Sequence, residues 1–95
     1  MRVHWTNKAL DQLLGIREQI AERSPRAANR LVERLATRAE QLDLFPRSGR
    51  VVPEYEQENV REVIERPYRV IYRVKPEQVD ILSVIHSRRS LPPNP

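Results

Sequence analysis

Apolar residues recur along this chain with two different periods, and the change of period divides it. From Asn7 to Glu22, the residues Ala9, Leu10, Leu13, Leu14, Ile16, Ile20 and Ala21 fall along one broad stripe. Steps of three and four are the signature of an amphipathic helix. Thr6 or Asn7 can cap its start. Gly15 weakens its middle by about 1 kcal/mol relative to alanine. Ser24-Pro25 then restarts a helix, because serine is a favoured N-cap and proline at the first helical position gives up no needed donor. The second stripe is Ala28, Leu31, Val32, Leu35, Ala39 and Leu42, and it ends before Pro46. So short a connection predicts an antiparallel helical hairpin.

Elsewhere the period is two. At the N-terminus Val3 and Trp5 share one face of a short strand, with Arg2 and His4 on the other. Pro46, Ser48, Gly49 and Pro53 mark an irregular stretch in which Val51 and Val52 suggest a brief edge segment. Residues 54–59 carry three glutamates and read as a solvated, mobile loop without chemistry. Val60 to Glu65 is the next strand, and Arg66-Pro67 a turn. Tyr68, Val70, Tyr72 and Val74 then alternate with Arg69 and Arg73. After a turn at residues 75–78, Val79 to His86 is apolar on both faces, which predicts an inner strand. The tail, Ser87 to Pro95, holds three prolines and is expected to be extended. The order is β-α-α-β-β-β in an α+β fold, with the helical hairpin on one face of a small antiparallel sheet. That face buries Tyr68, Val70, Tyr72 and Val74. The other is expected to be open and to carry Arg69 and Arg73.

Composition narrows the function classes. Ninety-five residues make one domain, 1–95. Without cysteine there is no disulfide framework, no thiolate zinc site and no Cys nucleophile, and a reducing compartment fits. No apolar run approaches the roughly 18 residues of a membrane span, and the polar N-terminus does not read as a signal peptide, so a cytoplasmic location is expected. Two glycines are too few for a Gly-rich phosphate loop. No spacing of ligands predicts a metal, and no motif predicts a cofactor. The net charge is +4, and fifteen of the seventeen basic residues are arginine, which fits an anionic partner such as nucleic acid or an acidic protein segment and fits equally a soluble surface encoded by an arginine-rich genome.

The candidate chemistry follows the arginines. Arg69 and Arg73 lie about 13 Å apart on one strand face. Arg61 is on the preceding strand, and Arg88 and Arg89 follow the last. As a cluster these are expected to line one concave anion-binding surface near His86, although any single arginine is more readily read as solvated and paired across strands with Glu62 or Glu65. His86 suits proton transfer near neutral pH, but without a nearby partner in sequence it is more often a structural hydrogen bonder. Arg26, Arg30, Arg34 and Arg38 form a basic helix stripe, read as a solvated face. Trp5 and Tyr72 read as core. Tyr55 and Tyr68 qualify as base-stacking platforms only if exposed.

The run Tyr68-Arg69-Val70-Ile71-Tyr72-Arg73-Val74, followed by Ile81-Leu82-Ser83-Val84-Ile85-His86-Ser87-Arg88-Arg89, resembles the closing strands of the RelE/ParE toxin superfamily of type II toxin–antitoxin systems. Trp5, Ser24-Pro25 with Ala27 and Ala28, the Pro46…Ser48-Gly49-Arg50 turn and Val60-Arg61-Glu62-Val63 extend the resemblance over nearly the whole chain. It implies a growth-arresting toxin held in a hetero-oligomer by a cognate antitoxin whose C-terminal segment wraps it. RelE-like members cut mRNA on the ribosome. For that branch Arg61, Arg69, His86 and Arg88 would be the catalytic groups, but Val63 stands where a second basic residue is expected, and no tyrosine follows Arg89. The Val-x-His-x-Arg context of His86 looks like ParE members. The resemblance therefore favours a ParE-like inhibitor of DNA gyrase that is not an enzyme. Arg61, Arg69, Arg73, His86, Arg88 and Arg89 would then be binding groups. A non-toxic basic binding module is the bland alternative.

Overall fold

The computed structural model describes residues 1–95. Strand β1 (Arg2–Trp5) leads into helix α1 (Asn7–Ala21) and helix α2 (Pro25–Glu40), which runs on into a 3₁₀ turn at Gln41–Asp43. Then follow β2 (Arg50–Val51), β3 (Val60–Glu65), β4 (Tyr68–Val74) and β5 (Gln78–His86). The strand order is β1-β5-β4-β3-β2. The last three strands form the expected antiparallel meander, and β2 extends it. β1 instead pairs parallel to β5, because the chain returns to its edge only after the hairpin has crossed the face, so the sheet is mixed.

The caps are those the sequence predicts. Thr6 Oγ accepts the Ala9 amide at 3.2 Å while donating to the Ile81 carbonyl at 2.7 Å, so it ties α1 to β5. Ser24 Oγ accepts the Ala27 amide at 3.1 Å, with Pro25 opening α2. Both helices pack on the face carrying Tyr68, Val70, Tyr72 and Val74, whose fourteen-residue core also takes Leu13, Leu31, Leu35 and Leu42. β5 is an inner strand, as its two apolar faces predict. It carries a bulge: Ile71 faces Ser83 but Tyr72 faces Ile81, so Leu82 is the extra residue. The α1 stripe is narrower than its sequence suggests. Leu10 and Leu14 face solvent, because the sheet lies under Ala9, Leu13 and Ile16.

The second sheet face is not open. Val52, Val60 and Ile71 are buried on it, joined by Tyr55 from the 52–59 loop, Leu82 and Ile85 from β5, and Leu91 from the tail. The Tyr55 hydroxyl donates to the Pro92 carbonyl at 2.7 Å, which links loop to tail. This loop is therefore packed in place. Its turn is closed by amides of Tyr55 and Glu56 on the Val52 carbonyl, with Glu56 in the left-handed region at φ 53°.

Candidate functional site

The expected concave row of arginines is divided by the pleat. Residues paired across antiparallel strands share a face. Arg61 pairs with Tyr72 and so lies on the helix side, whereas Arg69 pairs with Ile64 on the opposite side. Arg61 cannot join Arg69 in one surface. It is instead a clamp for the turn before β2. Its guanidinium donates to the carbonyls of Gly49 at 2.9 Å and Glu58 at 3.1 Å, and to the Glu58 carboxylate at 2.5 Å. The Tyr72 hydroxyl accepts the Gly49 amide at 3.0 Å from beneath the same turn. Burial pushes the Tyr72 phenol up, with the Gly49 hydrogen bond opposing it.

Arg69 is buried, not displayed. Its Nε donates to Glu62 Oε1 at 2.5 Å, and its two terminal nitrogens grip Glu54 in a fork at 2.8 and 2.9 Å. Glu62 has no exposed side-chain surface and also accepts Arg50 Nε at 2.6 Å. The chain Arg50–Glu62–Arg69–Glu54 thus alternates charge from the β2 edge to the packed loop. The fork holds the Glu54 carboxyl down at about 2, and the same two carboxylates push the Arg69 guanidinium further up. All three guanidinium nitrogens donate to protein carboxylates. Arg73 lies on the same face, half-buried and in register with Asp80. Asp80 is claimed by Lys75 at 2.6 Å and by Gln78 at 2.6 Å. Burial raises its carboxyl, but those partners outweigh that and leave it lowered.

His86, Arg88 and Arg89 do gather, at the end of the sheet where β4 starts and β5 finishes. Tyr68 and His86 are register partners, with ring centroids 5.6 Å apart and planes at 80°. Past His86 the chain turns tightly: the Arg88 amide donates to His86 Nδ1 at 3.1 Å and the Arg89 amide to the His86 carbonyl at 2.9 Å. An imidazole accepting at Nδ1 carries its proton on Nε2. The Ser87 amide donates to the Pro67 carbonyl at 2.9 Å, which holds the β3–β4 turn, and with it Arg66, beside the tail. A groove of about 420 Å³ lies between α1 and this end, with Gln12, Gln19, Tyr68, His86 and Arg89 in its lining. On the other side, Arg66, His86 and Arg88 border a depression of about 640 Å³. Tyr68 is buried and Tyr55 is held by Pro92, so neither is a stacking platform.

The cross-strand pairing of a strand arginine with Glu62 is as expected for Arg69, whereas sequence reasoning missed Glu54 and Arg66. The signal for Glu62 was the β3–β4 alternation, which places it on the face of Arg69. Glu54 carried none, because its partner lies across a loop of irregular backbone. No group of three or more metal-ligating side chains is present, and no helix is long and apolar enough to cross a membrane.

Two helices on a five-stranded mixed sheet, with arginines built into both faces and a basic turn after the last strand, define the RelE/ParE-like class of toxin domains. The family model described as the ParE toxin of the type II toxin–antitoxin system parDE matches residues 3–91, and the chain belongs to that family. Toxin RelE2 of Caulobacter vibrioides is 37% identical over 89 residues, covering 93% of this chain and 97% of that protein. The putative toxin Y4kP of Sinorhizobium fredii is 34% identical over 93 residues, covering 96% and 93%. The solved chromosomal ParDE toxin–antitoxin system from P. aeruginosa contains a chain that matches this one with a TM-score of 0.75 at 27% identity, over 90% of this chain and 95% of that one. The protein is the toxin component of a type II toxin–antitoxin module.

Proposed function

We propose that this toxin acts in the bacterial cytoplasm by inhibiting DNA gyrase, and that a ParD-like antitoxin neutralises it by wrapping its surface. One observation carries the choice of target. Arg69 matches the strand arginine of the mRNA-cleaving branch, yet Glu54 and Glu62 satisfy its guanidinium on the protein's own carboxylates. A group so engaged is not available to stabilise charge developing on a phosphate. Arg61 is likewise turned to the opposite face and spent on backbone carbonyls. His86, Arg88 and Arg89 remain, and serve target binding in this reading. The ParDE neighbour and the family match support a paired antitoxin.

The test is supercoiling by purified gyrase with toxin released from its antitoxin by denaturation and refolding. Antitoxin rebinding serves as the check on folding. Inhibition, or accumulation of cleaved DNA held by gyrase, is the expected result. No effect at excess folded toxin, with mRNA cleavage on ribosomes that Arg69→Ala abolishes, would overturn the proposal.

A further inference from the structure

Six of the fifteen arginines in this protein are paired with carboxylates, and three of the other nine gather at one place. Arg34, Arg38, Arg47, Arg50, Arg61 and Arg69 each lie within 4.0 Å of a carboxylate. Arg66, Arg88 and Arg89 make no such pair, and all three are exposed. Neither the groove nor the depression that they border has an Asp or Glu in its lining. The α2 stripe differs, because its pocket takes in Glu33 and Glu65 among the arginines.

The placement is built by backbone, not by chance extension of side chains. The Tyr68–His86 register brings the β3–β4 turn to the tail, and the Ser87–Pro67 hydrogen bond fixes the two together. The turn closed on the His86 Nδ1 and carbonyl then sends consecutive residues to opposite sides, Arg88 to the depression and Arg89 to the groove. Three guanidinium groups thus flank the His86 edge, with no acid between them to neutralise their field.

We propose that this end of the sheet grips the phosphodiester backbone of a nucleic acid directly, without cleaving it. Guanidinium forks match phosphate oxygens, and three of them around an edge track successive phosphates. Tyr68 is buried under His86 and offers no stacking face, so recognition falls on the backbone and is independent of sequence. The site lies within the surface assigned above to target binding and rests on the toxin reading, but it assigns a different ligand, the nucleic acid and not the protein subunits of gyrase.

The experiment measures fluorescence anisotropy of short labelled single-stranded DNA, duplex DNA and RNA with refolded toxin over a range of salt. Three phosphate contacts predict a log–log salt slope of about −2.7 on duplex and about −2.1 on single strands. The triple variant Arg66→Gln/Arg88→Gln/Arg89→Gln is expected to lose at least about tenfold in affinity and most of that slope. Its thermal melt stays unchanged, since none of the three makes an ion pair. A charge-matched control, Arg23→Gln/Arg26→Gln/Arg30→Gln, is expected to keep both. Binding of either DNA or RNA supports the proposal, and the preferred arm names the source. Absence of salt-dependent binding, or equal losses in the two triple variants, would overturn it. Gyrase inhibition run in parallel separates the two readings. Gyrase inhibition by a toxin that shows no salt-dependent nucleic-acid binding defeats only the phosphate site, and nucleic-acid binding without inhibition defeats only the gyrase target.

Discussion

Replacing Arg69 by methionine tests whether this arginine is structural. The variant keeps the aliphatic stem against the sheet and removes the guanidinium. Glu62, with no exposed side-chain surface, would lose its 2.5 Å partner and keep only Arg50, whose own side chain is 63% exposed. Removing one partner of a buried pair costs about 3–5 kcal/mol. The remaining Arg50 contact reduces this, so a loss of about 2–4 kcal/mol is expected. Glu54 is nearly half exposed and returns to water at little cost. A domain of this size is stable by about 5–15 kcal/mol, so the variant should fold with a much lower urea midpoint. At about 4–8 °C per kcal/mol, its melting temperature should fall by at least about 8 °C.

The companion variant is Arg69→Met/Glu62→Leu. Apolar replacement of both members of a buried pair is often neutral or stabilising, so the double variant should recover most of the loss. Urea denaturation followed by circular dichroism reads both. A loss below about 0.5 kcal/mol in Arg69→Met, typical of a surface site, would refute the reasoning, as would a double variant no more stable than the single. Abolished toxicity with unchanged stability would return Arg69 to the target surface.

Gly49→Ala should destabilise by about 1–3 kcal/mol, because the new Cβ would lie 2.4 Å from the Glu62 carbonyl oxygen and 2.6 Å from the Tyr72 hydroxyl; a urea midpoint equal to wild type would count against that packing. Gly15→Ala should do the reverse, raising stability by about 0.5–1 kcal/mol, since nothing lies within 4 Å of the added methyl and the helix gains propensity. The Glu54 carboxyl is held down from 4.5 to about 2, so its contribution is present above pH 4.5 and lost as pH falls toward 2. The stability gap between wild type and Glu54→Gln, measured by thermal melts, should therefore be present at neutral pH and close in that acid window; a constant gap would mean that charge is not its source.

Period and capping made the element order legible. Ser24-Pro25 and the apolar steps from Ala28 to Leu42 located α2, and the alternation from Tyr68 to Val74 identified the helix-covered face. Three things escaped for physical reasons. The parallel pairing of β1 with β5 joins residues more than seventy positions apart and leaves no local mark. Leu10 and Leu14 are apolar in the sequence and exposed in the fold, because hydrophobicity does not say how wide a stripe the sheet can cover. The packed loop over the second face was hidden by its composition. Three glutamates read as solvated until Glu54 is seen to close on Arg69, and a buried arginine needs such a partner.

Arg69 and Arg88 also show why residue type at a strand position does not assign a role. Both are arginines of the closing-strand pattern. Arg69 sits on a pleat whose neighbours include a fully buried glutamate, and a loop glutamate completes its fork. Its charge is cancelled locally, and little of its field reaches a ligand. Arg88 follows the last strand on a turn fixed by His86, and the depression it borders has no Asp or Glu in its lining. Its field is not cancelled, so an approaching anion meets it in full. The same side chain is thus a cross-brace in one place and an anion contact in the other, and what decides is the distance to the nearest carboxylate. If Arg88, Arg89 and Arg66 contact phosphate while Arg69 braces the sheet, substitutions should sort the same way. The first three would change the salt dependence of binding and leave the melting temperature alone. Arg69→Met would lower the melting temperature and leave the salt slope alone.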